Sequence, residues 1–153
     1  EKLQFDPANL AASKVTASVD VDSLETDFPD PARLDFNAVL RGATWLDVAQ
    51  FPKMEFDSRR IDVTGVNTVR IHGDLTLHGV TRPIVLEATF NGGYAGHPMD
   101  PNARIGFSAR ATLKRSEFGI AYGIPAPGTT MGVSDEVEVA IEAEFTGPPL
   151  VPQ

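Results

Sequence analysis

The sequence predicts an all-β domain, an antiparallel barrel or sandwich with one short helix. Apolar and polar residues alternate with a period of two through seven separate segments, which is typical of strands with one dry and one wet face. The 153 residues include 13 glycines and 12 prolines, which favour short strands joined by turns over long helices. Hydrophobic residues make up 42% and there is no cysteine, so one core can form without disulfides.

The seven predicted strands follow from this alternation in chain order. The first is a stub at Leu3 and Phe5, which Asp6 and Pro7 end. The other six cover residues 15–21, 54–63, 69–77, 84–90, 105–113 and 137–145.

Two irregularities and one helix complete the predicted elements. The apolar positions shift after Ser58, which predicts a β-bulge near Arg59 and Arg60. Gly79 separates two alternating segments and predicts a hairpin there. Residues 32–41 contain neither glycine nor proline and break the alternation, so they predict a short helix against the sheet. We expect one domain over residues 1–147 and a C-terminal tail over 148–153.

Charge and motif content exclude several classes of function. The formal net charge is −8, so nucleic acid is not an expected partner. No apolar run approaches the roughly 20 residues of a membrane span, so no stable membrane insertion is expected. His72 and His78 lie about 20 Å apart if both are on one strand, and no metal site is predicted. No phosphate loop, dinucleotide fingerprint or nucleophile elbow is present, so neither a cofactor nor a catalytic residue is predicted.

The dry face of the predicted sheet is the remaining candidate for function. The interior of a closed sheet of about eight strands either fills with side chains or holds one ligand, and the pattern alone does not choose between these. If a ligand is held, large apolar residues on the inferred inner side are the candidates for its lining. These ligand-binding candidates are Leu40, Trp45, Phe56, Leu75, Leu86, Phe107, Phe118 and Ile120.

Five sequence blocks occur in an order that resembles one known family. They are FDPANLAASKVTASVDVDSLETD, WLDVAQFPKMEFDS, GDLTLHGVTRPIVLEATF, LKRSEFGIAYG and VSDEVEVAIEAEF, together running from Phe5 to Phe145. By these blocks the chain is similar to YceI-like proteins. The resemblance implies a lipocalin-like antiparallel barrel of about eight strands, of which about seven are visible in this sequence. It also implies an elongated apolar channel for a long-chain isoprenoid lipid, such as an isoprenoid quinone or a polyprenyl phosphate, or a similar amphiphile.

The resemblance carries further expectations about location and assembly. It implies export to the periplasm or secretion, often as a homodimer, and a binding protein, not an enzyme. Family members carry several tens of residues before the FDP block, including the first strand and most of the second. We therefore expect either a truncated barrel or a gap that a neighbouring chain or another element fills.

Two other functions remain as alternatives at this point. A lipid-modifying enzyme would need a titratable group near the cavity, and Glu117 and Asp135 are the loop carboxylates to consider. A ligand-free structural or interaction module would have a solid core.

The residues that would bind the lipid head group depend on whether that head group is a phosphate or a quinone. A phosphate head would need local basic residues, and the candidates are Arg33, Arg41, Arg59, Arg60, Lys114 and Arg115. A quinone head would need only a hydrogen-bond donor such as Trp45, Tyr94 or Tyr122. The net charge of −8 favours the quinone or another amphiphile without phosphate.

Overall fold

A computed structural model describes residues 2–150 as one antiparallel sheet in which each strand pairs with the next along the chain. This order confirms the seven predicted strands and the all-β fold class. The strands are β1 (Lys2–Gln4), β2 (Lys14–Asp20), β3 (Lys53–Val63), β4 (Thr68–Leu77), β5 (Val80–Tyr94), β6 (Ala103–Lys114) and β7 (Glu136–Gly147). Short 3-10 turns lie at Leu10–Ala12, Val21–Ser23 and Arg115–Phe118.

The sheet curls into a half-barrel that stays open between its first and last strands. Within residues 2–150, β1 pairs only with β2, and β7 pairs only with β6. The accessible surface of 10243 Å² exceeds the roughly 7,500 Å² expected for a closed chain of this mass. The concave face is therefore partly open, and two strand edges are left without a partner strand in the described part of the chain.

The bulge and the hairpin lie where the sequence predicts them. The register between β3 and β4 shifts between Ser58 and Arg60, so the inner side chains change from even to odd positions. His78 and Gly79 form the turn between β4 and β5 with φ values of 53° and 72°. Two successive residues with positive φ give a turn whose twist matches that of the paired strands.

The helix is shorter than predicted. Instead of 32–41, α1 spans Phe36–Arg41, and the residues before it form turns. The Asp35 carboxylate accepts the Ala38 N–H at 2.9 Å, which caps the helix at that point. Asp30 holds a separate turn by accepting the Arg33 N–H at 3.2 Å. The prediction began too early because the Asp35 cap, at which the helix begins, and the separate turn at Asp30 leave no gap in the apolar pattern.

The C-terminal region returns to the β5–β6 connection. The Leu150 N–H donates to the Ala95 carbonyl at 2.9 Å. Residues 151–153 of the predicted tail lie outside the described residues. No helix in the range 2–150 has both the length and the apolar character needed to cross a membrane.

Candidate functional site

The concave face of the sheet encloses an apolar cavity of about 660 Å³. All seven strands contribute to its wall, together with the β1–β2 and β3–β4 connections. Among its described lining residues only Ser13, Glu55 and Asn67 have polar side chains. Prominent apolar lining residues are Phe5, Leu10, Met54, Ile61, Val69, Ile71, Ile84, Phe90, Leu113, Ile141 and Phe145.

Four of the eight sequence-predicted ligand-binding residues line this cavity. They are Phe56, Leu75, Leu86 and Phe107, one from each strand from β3 to β6. Phe56 and Leu75 are register partners on β3 and β4, so they lie side by side in the cavity wall. Gly73, beside Leu75 on the inner face, leaves the space that the Phe56 ring occupies, because a Cβ there would overlap the ring.

The other four predicted residues pack at one end of the cavity without being part of its lining. Phe118 is fully buried, Ile120 is 4% exposed and Trp45 is 9% exposed, and all three belong to the main buried cluster. Leu40 packs against that cluster from α1. Their role in ligand binding stays a prediction. We call Trp45, Phe118 and Ile120 the floor of the cavity.

A buried arginine holds the loop that carries the floor. The Arg115 guanidinium donates to the carbonyls of Ile120 at 3.0 Å, Tyr122 at 2.7 Å, Val133 at 2.7 Å and Ser134 at 2.9 Å. Its carbon Cζ also lies 4.9 Å from the centre of the Trp45 ring. These contacts use the cation structurally, so Arg115 is not available to a phosphate head group.

The opposite end of the cavity is an aromatic mouth. Phe107 lies at its centre, with ring centroids 6.2 Å from Phe5, 5.8 Å from Phe90 and 6.2 Å from Phe145. Phe5 and Phe90 are 38% and 37% exposed, so this end is in contact with solvent. The Phe90 N–H donates to the Asn67 carbonyl at 2.7 Å, which places the β3–β4 turn beside the mouth.

Several lining residues were missed by the sequence reasoning. Leu10 lies in a 3-10 turn, and Val66 and Asn67 lie in the connection between β3 and β4. Such segments have no apolar periodicity, so the alternation that identifies strand residues carries no signal for them. Pro7 and Ser13 in the β1–β2 connection were missed for the same reason.

The basic candidates for a phosphate site do not converge on the cavity. The lining described for residues 2–150 includes none of the six basic candidates, which are Arg33, Arg41, Arg59, Arg60, Lys114 and Arg115. Arg59 pairs with Asp74, and Arg60 pairs with Asp62 at 3.1 Å. The Arg41 Nη2 donates to the Leu24 carbonyl at 2.7 Å.

The suggested quinone-binding donors also lie elsewhere. The Tyr94 hydroxyl donates to Asp100, and this hydrogen bond raises the Tyr94 pKa above its usual value. Tyr122 lies outside the described lining, edge-on to the Trp45 ring with centroids 5.6 Å apart. Among the described lining residues, Asn67 carries a side-chain N–H donor, and its backbone is hydrogen-bonded to Phe90 at the mouth.

The two loop carboxylates considered for catalysis lie away from the described lining. Asp135 accepts the Ser116 N–H at 2.8 Å and the Ser116 hydroxyl at 2.7 Å, and these bonds lower the Asp135 pKa. Glu117 is exposed, and its carbonyl accepts from Arg82 at 3.2 Å. Across residues 2–150 no three His, Asp or Glu side chains lie close enough together to hold a metal ion.

Comparison with protein-family models matches a YceI-like domain to residues 1–145. The chain belongs to the YceI-like family. A UPF0312 protein of Pseudomonas savastanoi pv. phaseolicola is 39% identical over 133 residues, covering 86% of this chain and 62% of the relative. A UPF0312 protein of Vibrio cholerae is 32% identical over 143 residues, covering 94% of this chain and 68% of the relative. The chain thus spans 62% of the length of the first of these relatives.

Two solved structures of similar proteins share this fold. The crystal structure of the Campylobacter jejuni YceI protein superposes with a TM-score of 0.78 at 25% identity, covering 95% of this chain and 78% of that one. Burkholderia cenocepacia BcnA gives a TM-score of 0.77 at 26% identity, covering 95% and 82%. The names of these relatives state no enzymatic activity.

Proposed function

We propose that the protein binds and carries a long-chain isoprenoid lipid or a similar amphiphile, with the tail in the cavity and the head group at the mouth. The observation that carries this proposal is the cavity of about 660 Å³ with an almost wholly apolar lining. A volume of this size falls within the range of small-molecule sites. A lining of this composition favours alkyl groups, because it offers almost nothing to solvate a polar ligand.

The cavity volume sets the scale of the affinity. At about 30 Å³ for a methylene-sized group, the cavity holds about 22 carbon atoms. At about 0.3 kcal/mol per heavy atom, these carbons contribute about 7 kcal/mol. This free energy corresponds to a Kd of about 10 µM from the enclosed tail alone. Binding therefore needs no charged contact.

The surroundings of the mouth support a neutral head group. A polyprenyl phosphate would approach a protein of net charge −8 without a basic residue in the described lining. A quinone needs one hydrogen-bond donor, and the Asn67 amide offers it. An isoprenoid quinone is therefore the head-group class that we propose. We further propose that the carrier acts in the periplasm or outside the cell as a homodimer. The edge of β7, which has no partner strand within residues 2–150, supports this assembly.

The two alternatives have weaker support. A ligand-free module would have its interior filled by Phe56, Phe90, Phe107 and Phe145, whereas these side chains surround open space. An enzyme would need a titratable group on the cavity wall, and Glu55, which is exposed, is the described lining residue that carries one.

The test compares two phenylalanine-to-arginine variants. Phe107→Arg places a cation in the cavity wall, whereas Phe28→Arg replaces a ring that stacks on Phe36 outside the described lining. We expect mass spectrometry of an organic extract to find lipid with the wild type and with Phe28→Arg, and little with Phe107→Arg. Titration with a quinone and with a polyprenyl phosphate at two salt concentrations then identifies the head group. A folded Phe107→Arg variant that retains its lipid would contradict the proposal, and salt-sensitive phosphate binding would contradict the quinone.

A further inference from the structure

We propose that the floor formed by Trp45, Phe118 and Ile120 sets the longest tail that the cavity accepts, and that Phe118 is the residue that determines this length. The inference rests on the proposed lipid binding and goes beyond it by assigning tail-length selectivity to particular residues. It follows from where the cavity ends and from how firmly that end is held.

The floor packs behind the lining residues at one end of the cavity. Leu75 and Leu113 line the cavity and also belong to the buried cluster that contains Phe118 and Ile120. Leu113 lies six residues after Phe107 on β6, which corresponds to about 20 Å along the strand. A tail that enters past Phe107 at the mouth therefore reaches, at the level of Leu113, the lining layer that the floor supports.

The aromatic side chains at the mouth differ in burial from Phe118 in the floor. At the mouth, Phe5 and Phe90 are each more than a third exposed, whereas Phe118 at the floor has no exposed surface. A half-exposed aromatic side chain can move aside for a tail, because one face has no packing to lose. A fully buried ring cannot move without opening a void in the core. Phe118 is therefore the aromatic residue that limits tail length.

The backbone around Phe118 is fixed by polar contacts from two side chains, His78 and Arg115. The Phe118 carbonyl accepts from His78 Nδ1 at 3.0 Å, which ties it to the β4–β5 hairpin. Arg115 donates to the Ile120 carbonyl at 3.0 Å and to three further carbonyls of the following loop. Gly119 adopts a φ of +75°, which turns the chain between the two floor residues. A floor held in this way does not retreat when a longer tail presses on it.

The expected effect on binding can be stated as a dependence on tail length. In the wild type, each added carbon tightens binding by about 1.7-fold until about 22 carbons are enclosed. Beyond that length the affinity should level off. Truncation of Phe118 opens space for additional methylene groups. Three such groups would tighten the binding of the next longer tails by about fivefold.

The experiment measures Kd for a series of isoprenoid quinones with one head group and increasing numbers of isoprene units. We expect Phe118→Leu and Phe118→Ala to move the levelling point to longer tails, and Leu113→Phe to move it to shorter ones. Phe28→Ala removes the same kind of side chain outside the described lining and should keep the wild-type profile. Circular dichroism checks that each variant is folded. If Phe118→Ala does not fold, Phe118→Leu and Leu113→Phe test the same point with smaller changes in volume.

The outcomes separate the floor from lipid binding itself. A wild-type protein that binds the series without levelling off overturns the floor proposal and leaves lipid binding intact. Folded Phe118 variants with an unchanged levelling point overturn it as well. A wild-type protein that binds no member of the series overturns the proposed function, and the floor proposal with it.

Discussion

Replacing Ala109 by phenylalanine tests whether the interior is empty space or packed core. Ala109 lines the cavity in the middle of β6 and is the register partner of Ala88 on β5. Both alanines are buried, at 9% and 4% exposure. The substitution adds about six carbon atoms that point into the cavity.

The size of the effect follows from the carbons that the new ring displaces. Six tail carbons at about 0.3 kcal/mol each amount to about 1.8 kcal/mol, or about a 20-fold weaker Kd. The same ring buries apolar surface against the wall of an empty cavity, which stabilises the lipid-free protein by about 1 kcal/mol when one face is covered. For a chain of this length, that gain raises Tm by about 2–4 °C. Weaker binding together with equal or greater stability is the signature of a filled cavity.

The assay needs two measurements on lipid-stripped protein. Thermal unfolding gives Tm, and titration with one isoprenoid quinone gives Kd. Ala126→Phe adds the same group to an exposed position in the loop after the floor and should leave both values unchanged. A fall in Tm of more than about 5 °C for Ala109→Phe would show that its interior has no room, because overpacking is destabilising. A raised Tm with an unchanged Kd would refute the cavity as the site of binding.

Three further predictions concern stability. Gly73→Ala should destabilise the fold by about 1–3 kcal/mol in urea unfolding, because the new Cβ would overlap the Phe56 ring. Arg115→Met should cost about 3 kcal/mol or more by the same measurement, because it leaves four backbone carbonyls without their donor. The Asp135 pKa is lowered in the folded protein because Ser116 donates two hydrogen bonds to it, so its stabilising contribution is present above the ordinary value of 3.8. That contribution is lost as the pH falls through the lowered folded pKa, and the difference in urea midpoint between wild type and Asp135→Asn should shrink there.

Matched controls make these stability predictions specific. Gly147→Ala adds a Cβ that meets nothing within 4 Å and should be close to neutral. Arg33→Met removes an exposed cation and should also be close to neutral. An Arg115→Met variant as stable as Arg33→Met would contradict the structural role of the buried guanidinium. An Asp135→Asn difference that stays constant from neutral pH into the acid range would contradict the origin of its lowered pKa.

The amino-acid sequence by itself determined the strands, the bulge and the hairpin. These features depend on neighbours in the chain: a period of two has one structural solution, and a shift in that period after Ser58 requires an extra residue. Strand parity likewise assigns four residues to the inner face of the sheet, and all four line the cavity: Phe56, Leu75, Leu86 and Phe107.

Only the tertiary structure decided which apolar residues surround space and which fill it. Phe107 and Phe118 are the same residue type in neighbouring segments, yet one lines the mouth and the other is fully buried in the floor. Asn67 joins the wall through a turn that has no apolar pattern. The curvature of the sheet and the packing of Trp45 against Arg115 arise from contacts between residues far apart in the chain. Alternation along a strand gives the face of the sheet on which a side chain lies. It does not give the distance from that side chain to the opposite wall of the cavity.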